Sequence, residues 1–174
     1  MNLRRGAPVI WLLAATSQSA SCVGEVGPVG LVELRQPLRD GFESVADAMQ
    51  PSCATLDCHG HPKRNLRLFG ERGLRLGADV TSAEGATTSA EYEADYWAVV
   101  ALEPEQLSTV LGDGGADPER LILIRKGRGT TRHKGGSLMH PGDDLDQCLV
   151  EWLKGNILVD ACKTAARLMP PALP

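Results

Sequence analysis

Aromatic residues are scarce in this chain: Phe, Trp and Tyr make up 4% of its 174 residues. Large aromatics usually supply much of a core's buried area. With 43% hydrophobic residues, the chain must fill its centre with aliphatic side chains or with a bound group. Long apolar runs are also missing. The run Val9 to Ala15 is far shorter than the roughly 20 residues a membrane-spanning helix needs, and no later segment qualifies. Lys and Arg do not form runs and the net charge is −4, so nucleic-acid binding has no electrostatic footprint. The closest approach to one, Arg125-Lys126-Gly127-Arg128 continuing to Arg132 and Lys134, reads as a solvated loop. The alternative is docking of an acidic partner. The Gly-x-Ser-x-Gly and His-Glu-x-x-His signatures are absent. No second Cys-x-x-Cys pair stands ready to complete a zinc site, and no internal repeat is present.

The first residues carry a compartment signal. Arg4 and Arg5 form a positive n-region, Val9 to Ala15 an apolar centre, and Ser19-Ala20-Ser21 a small-residue end, which is the three-part form of a secretory signal peptide over residues 1–21. Cys22 stands directly after it. The arrangement resembles a bacterial lipoprotein signal, which implies lipidation of Cys22 and a membrane anchor; ordinary cleavage near Ser21 and an uncleaved leader are the alternatives. Val23 is not an acidic retention signal, so the outer membrane is the expected anchor. Loss of the leader removes two arginines and leaves 16 basic against 22 acidic residues, a net charge of −6. Residues 22–37, with three glycines and two prolines, read as a flexible tether.

There are five cysteines: Cys22, Cys53, Cys58, Cys148 and Cys162. An odd count in an exported chain asks for an explanation. With Cys22 assigned to lipid, Cys53 and Cys58 lie together in Cys-Ala-Thr-Leu-Asp-Cys-His, and an oxidising compartment permits Cys148 and Cys162 to pair. The rival scheme is two disulfides of unknown connectivity.

The pattern along the chain is helical. Phe42, Val45, Ala46 and Met49 share one face of a helix over 41–49 that Asp40 can cap and Pro51 ends. Leu66–Phe69 and Leu74–Leu76 flank Gly70 and Gly73 as a short hairpin, and residues 77–91 read as a loop. Tyr92 to Leu102 predicts a second helix, with a short one from Pro104. Leu121–Ile124 is strand or buried helix, which periodicity alone does not decide. A loop bearing Gly and His runs from Gly127 to Gly142. Asp143 or Asp144 then caps a last helix to about Lys154, stopped by Gly155, with Leu145, Leu149, Trp152 and Leu153 facing inward. The fold class expected is mostly α, one domain over 38–165, with a disordered tail over 166–174.

Cys53-x4-Cys58-His59 carries the chemistry. Two thioether bonds to porphyrin vinyl groups need two thiols on a short loop, and the imidazole directly after the second thiol then lies under the iron; this is why Cys-x-x-Cys-His reads as c-type haem attachment. The spacer here is four residues rather than two. The order of helix, Cys-His motif, middle helix, loop and terminal Trp helix resembles class I cytochrome c over residues 38–156. More closely, Cys58-His59-Gly60, His133-Lys134-Gly135-Gly136 and Trp152-Leu153-Lys154-Gly155 resemble the cytochrome c-like domains of bacterial lipoproteins. The resemblance implies haem c held covalently by Cys53 and Cys58, His59 as proximal ligand and His133 as distal ligand, with a Cys148–Cys162 bridge. Met139 matches the usual class I distal position and His140 is a third candidate; Met139 read alone is a core methionine. His61 is too near His59 to reach the opposite haem face and reads as a surface histidine. The function implied is electron transfer to a redox partner protein, without enzymatic turnover. An open iron site would instead permit peroxidase or ligand-sensing chemistry. Two readings stand against haem: a zinc module using Cys53, Cys58, His59 and His61 with His133 or His140, and a plain lipoprotein with Cys53–Cys58 oxidised.

Overall fold

The computed structural model describes residues 33–77 and 85–167. The signal peptide, Cys22 and most of the expected tether lie outside the described residues, as do residues 168–174 of the expected tail. Among the described residues there are six α-helices and no strand: α1 Phe42–Met49, α2 Ser89–Val100, α3 Pro104–Gly112, α4 Ile122–Gly127, α5 Asp144–Leu153 and α6 Val159–Ala166. The chain is therefore mostly α.

The helices form where apolar spacing and capping chemistry agree. On α1, Phe42, Val45, Ala46 and Met49 are all buried, the i, i+3, i+4, i+7 stripe of a half-buried helix. Asp40 does not cap it. The chain enters instead through Gly41 in the left-handed region, with no side-chain cap, and an Arg39 carbonyl accepting from the Phe42 N–H closes the turn. A β-carbon at Gly41 would sit 3.4 Å from Ile157, so glycine serves here both for its backbone freedom and for contact with the C-terminal segment. Helix α2 starts three residues before the Tyr92 expected from apolar spacing. Thr88 accepts from the Glu91 N–H while the Glu91 side chain accepts from the Thr88 N–H, a reciprocal capping box that satisfies two otherwise orphan donors. Asp143 caps α5 by accepting from the Asp146 N–H at 2.9 Å, and Gly155 ends it in the left-handed region.

Of the Leu121–Ile124 run, Leu121 is extended and the rest is helix: α4 buries Ile124 and leaves Ile122 and Leu123 half-buried. The hairpin expected around Gly70 and Gly73 reduces to a single bridge between Phe69 and Leu74. Helix α6 follows the segment that reads as the last helix. It buries only Cys162 and Ala165, residues too small to leave an apolar period in the sequence. Ala166 ends it, so the tail expected from residue 166 begins inside a helix. At the other end the expected tether overlaps the folded body, because Pro37 is buried and its carbonyl accepts from the Tyr96 hydroxyl at 2.9 Å.

Helix α6 packs on α1 and α5, and α1 also touches α2. Trp152 on α5 is fully buried, donates to the Leu38 carbonyl at 2.7 Å and meets the Phe42 ring at 5.1 Å between centroids. Tyr96 stands edge-on to Phe42 at 5.2 Å. Three of the chain's few aromatic residues thus share one cluster where α1, α2 and α5 meet. The Cys148–Cys162 disulfide joins α5 to α6, and both residues are fully buried. No helix among the described residues is long and apolar enough to cross a membrane.

Candidate functional site

The loop after α1 is closed by its own backbone. The Cys53 N–H and Ala54 N–H both donate to the Met49 carbonyl, the Cys58 N–H and Gly60 N–H to Thr55, and the His59 N–H returns to the Cys53 carbonyl at 2.8 Å. The four-residue spacer is therefore a turn that brings His59 back beside Cys53. Arg64 reaches over it, donating to the Cys58 and Asp57 carbonyls at 3.0 and 2.9 Å. Gly60 and Gly73 are required by close approach: a β-carbon on either would lie 1.9 Å from the Ala54 carbonyl oxygen.

Cys53 and Cys58 are both half-buried free thiols. Burial, reinforced by the neighbouring Cys58 sulfur, pushes the Cys53 thiol up to about 12, so it is a neutral thiol at ordinary pH. No disulfide joins the two.

His59 and His133 face each other across the site. Their ring centroids are 6.1 Å apart and their planes lie within 18° of parallel, although 73 residues separate them in the sequence. Each ring is anchored through Nδ1 on a carbonyl, His59 on Leu66 at 3.1 Å and His133 on Gly136 at 3.3 Å. A carbonyl can only accept, so Nδ1 carries the proton and Nε2 keeps its lone pair. Metal-binding histidines are held in this way, through the ring nitrogen that does not bind. Burial lowers the His59 pKa, opposed by the Leu66 hydrogen bond and reinforced by His133, Arg64 and Lys126; all but the hydrogen bond favour the neutral, ligating form. The His-x-Gly-Gly pattern also has a local reason. Gly136 is in the left-handed region, its N–H donates to the His133 carbonyl, and a β-carbon on Gly135 would lie 3.3 Å from the His133 ring.

The histidine pair lines two cavities. One, of about 390 Å³, is walled by Met49, Cys53, Leu68, Ile122 and Leu138, with Lys63, Arg64 and Lys126 also among its lining residues. The other, of about 130 Å³, is lined by Cys58, Asp57, Arg64 and Lys134 among others. The larger falls in the range of small-molecule pockets, which are mostly apolar with a few convergent polar groups. No acidic side chain lines it.

The remaining candidates lie elsewhere. Met139 is buried against Gly127, where a β-carbon would come within 2.6 Å of its methyl carbon, and it lines neither cavity. His140 is exposed. His61 is half-buried and its Nδ1 accepts from the Lys63 N–H at 3.2 Å. Among the described residues, no group of three or more His, Cys, Asp and Glu side chains is placed to hold a metal ion by itself. Sequence reasoning passed over Leu66 and Arg64, which fix His59 and the loop; their contacts are through backbone carbonyls, which leave no signature in residue type.

No known family's model matches this chain, nor does any curated protein or solved structure.

Proposed function

We propose that this chain is an exported, lipid-anchored c-type cytochrome domain of the class I kind that carries one haem and transfers electrons. The observation that carries the reading is the His59–His133 pair. Two imidazoles that would hold one metal need to lie near each other with one ring nitrogen unprotonated, as these do through Nε2. The observed separation is 6.1 Å. Two histidines are also all the protein need supply where a macrocycle provides four further nitrogens. The residues present therefore fit the group: Cys53 and Cys58 are free to form the thioethers, and the larger cavity is apolar with a cationic edge.

When bound, the haem supplies one-electron redox chemistry, and the protein supplies attachment, axial ligands and burial. His59, held by Leu66, would hold the iron next to the Cys58 attachment. His133, rather than Met139 or His140, would be the second residue to hold the iron, because Met139 is buried against Gly127 and His140 is exposed. Bis-histidine ligation sets a lower potential than histidine–methionine ligation. Lys63, Arg64 and Lys126 line the cavity, and among the described residues none is paired with a carboxylate. They suit an acidic partner docking at this mouth, with electrons passing there. Anchoring through Cys22 places the exchange at the cell envelope, with the outer membrane as the expected site.

The test is the full chain exported beside an active haem-maturation system, then denatured and extracted with acidified organic solvent. Haem that stays on the polypeptide, and is lost from the Cys53→Ala/Cys58→Ala variant, supports the reading. Colourless protein would sink it and leave the lipoprotein reading in which Cys53 and Cys58 form a disulfide.

A further inference from the structure

Asp95 and Gln50 are the only side chains among the described residues with buried polar atoms that find no partner, namely Asp95 Oδ2 and Gln50 Oε1. Asp95 is 1% exposed and Gln50 3%. Both grip one residue. The Phe69 N–H donates to Asp95 Oδ1 and Gln50 Nε2 donates to the Phe69 carbonyl, each at 2.7 Å. That second bond fixes the Gln50 amide, since the reversed orientation would oppose two acceptors. A buried acceptor without a donor is costly, and here two lie on the side chains that hold Phe69. A single proton on Asp95 Oδ2 would turn that oxygen into a donor, and the Gln50 carbonyl oxygen is an acceptor that lacks one.

The clamp stands next to the proposed ligand. Phe69 follows Leu68, whose N–H donates to the His59 carbonyl at 2.9 Å, and Leu66, whose carbonyl holds His59 Nδ1, lies in the same segment. We propose that Asp95 is a neutral acid whose Oδ2 hydrogen is donated to Gln50 Oε1, and that this pair positions the Leu66–Phe69 segment that orients His59. The role in positioning rests on the haem reading; the protonation does not. The titratable groups on the surrounding elements are Glu91 and Tyr92 on α2, Asp47 on α1, and Glu71 and Arg75 on the 66–76 loop. Of these only Glu91 acts on Asp95, and Arg75 is bound to Glu91. Burial pushes the Asp95 carboxyl up to about 7, against the Phe69 hydrogen bond and with the Glu91 charge. This agrees with the geometry.

Infrared spectra of the full chain across pH 4 to 9 test the proton. A protonated carboxylic-acid carbonyl band should persist well above pH 5, vanish in Asp95→Asn and shift in Gln50→Leu, which removes the acceptor. Asp95→Asn keeps one acceptor and one donor in place, so it should fold with undiminished thermal stability, whereas Asp95→Ala should not. Absence of the band above pH 5, or destabilisation by Asn as great as by Ala, would overturn the proton assignment. Positioning is read from nitrogen-15 correlations of the His59 ring. One tautomer is expected in wild type and Asp95→Asn, and a mixture in Asp95→Ala; an unchanged ring in Asp95→Ala would overturn that part. In haem-loaded protein the potential should fall as pH rises through the Asp95 titration, because the ionised acid favours ferric iron, and be flatter in Asp95→Asn. A colourless chain would defeat the haem reading and leave the infrared result to decide on the proton.

Discussion

The helical body and the wall of the histidine cavity are built by different means. In the body, α1, α2, α5 and α6 bury Phe42, Val45, Tyr96 and Trp152, and a disulfide ties the last two helices. The wall is mostly loop, from Cys53 to Leu76 and from Arg128 to Gly142, joined by α4 and by Met49 at the end of α1. It is held by backbone hydrogen bonds, by glycines that admit close contacts, and by Arg64. The body depends on side-chain volume and the wall on backbone path. Substitutions should therefore separate stability from site geometry.

The largest effect expected is at the centre of the body. Trp152→Ala removes a fully buried ring and its bond to Leu38, and should cost about 3–5 kcal/mol, read as a lowered denaturant midpoint. Cys148→Ser with Cys162→Ser opens a link between residues 14 apart and should cost about 3 kcal/mol on the chain-entropy account. If the double variant melts like wild type, α6 is held by packing alone. In the wall, Gly60→Ala drives a β-carbon into the Ala54 carbonyl and should cost roughly 1–3 kcal/mol. It should also distort the Cys53–His59 turn while far-ultraviolet circular dichroism keeps its helical signal. An equal loss of helix would erase the distinction between the two regions.

A pH dependence sharpens the comparison at the seam. Glu91 is buried, which by itself would raise its pKa. The bonds from Arg75, the Thr88 and Leu76 N–H groups and the Thr88 hydroxyl outweigh this and hold it at about 2. A depressed folded value means the stabilisation is complete above the ordinary glutamate range and is lost as pH falls from about 4.5 toward 2. Asp95 acts oppositely: its raised value favours folding at low pH, and that contribution declines as pH rises from about 4 to about 7. Thermal melts of Glu91→Gln should lose the acid-limb slope that wild type shows. The smallest effect on stability is expected at His133, which is half-buried on a loop; His133→Ala should change stability by less than about 0.5 kcal/mol and act on the site alone.

The same division explains how much of the molecule was legible in the sequence. Helices α1 and α5 announced themselves through apolar residues at helical spacing, with Asp143 as a cap and Gly155 as a stop. The start of α2 was equally readable, since Thr88-x-x-Glu91 is a capping signature, but apolar spacing put it later. Helix α6 was not, because its buried face is a cysteine and an alanine. For the site, Cys53, Cys58 and His59 could be picked out by adjacency. The approach of His133 to His59, 6.1 Å between ring centroids, depends on two loops meeting, and no local pattern encodes that. The Asp95–Phe69–Gln50 clamp was invisible, because a buried carboxylate looks like a surface one until its surroundings are known.

The most direct test of the central claim is the ligand set of the oxidised, haem-loaded chain, read by near-infrared magnetic circular dichroism beside His133→Ala and Met139→Leu. The account requires a bis-imidazole, low-spin signature in wild type and Met139→Leu, and conversion to high spin in His133→Ala. A histidine–methionine signature in wild type that Met139→Leu abolishes and His133→Ala leaves intact would contradict it.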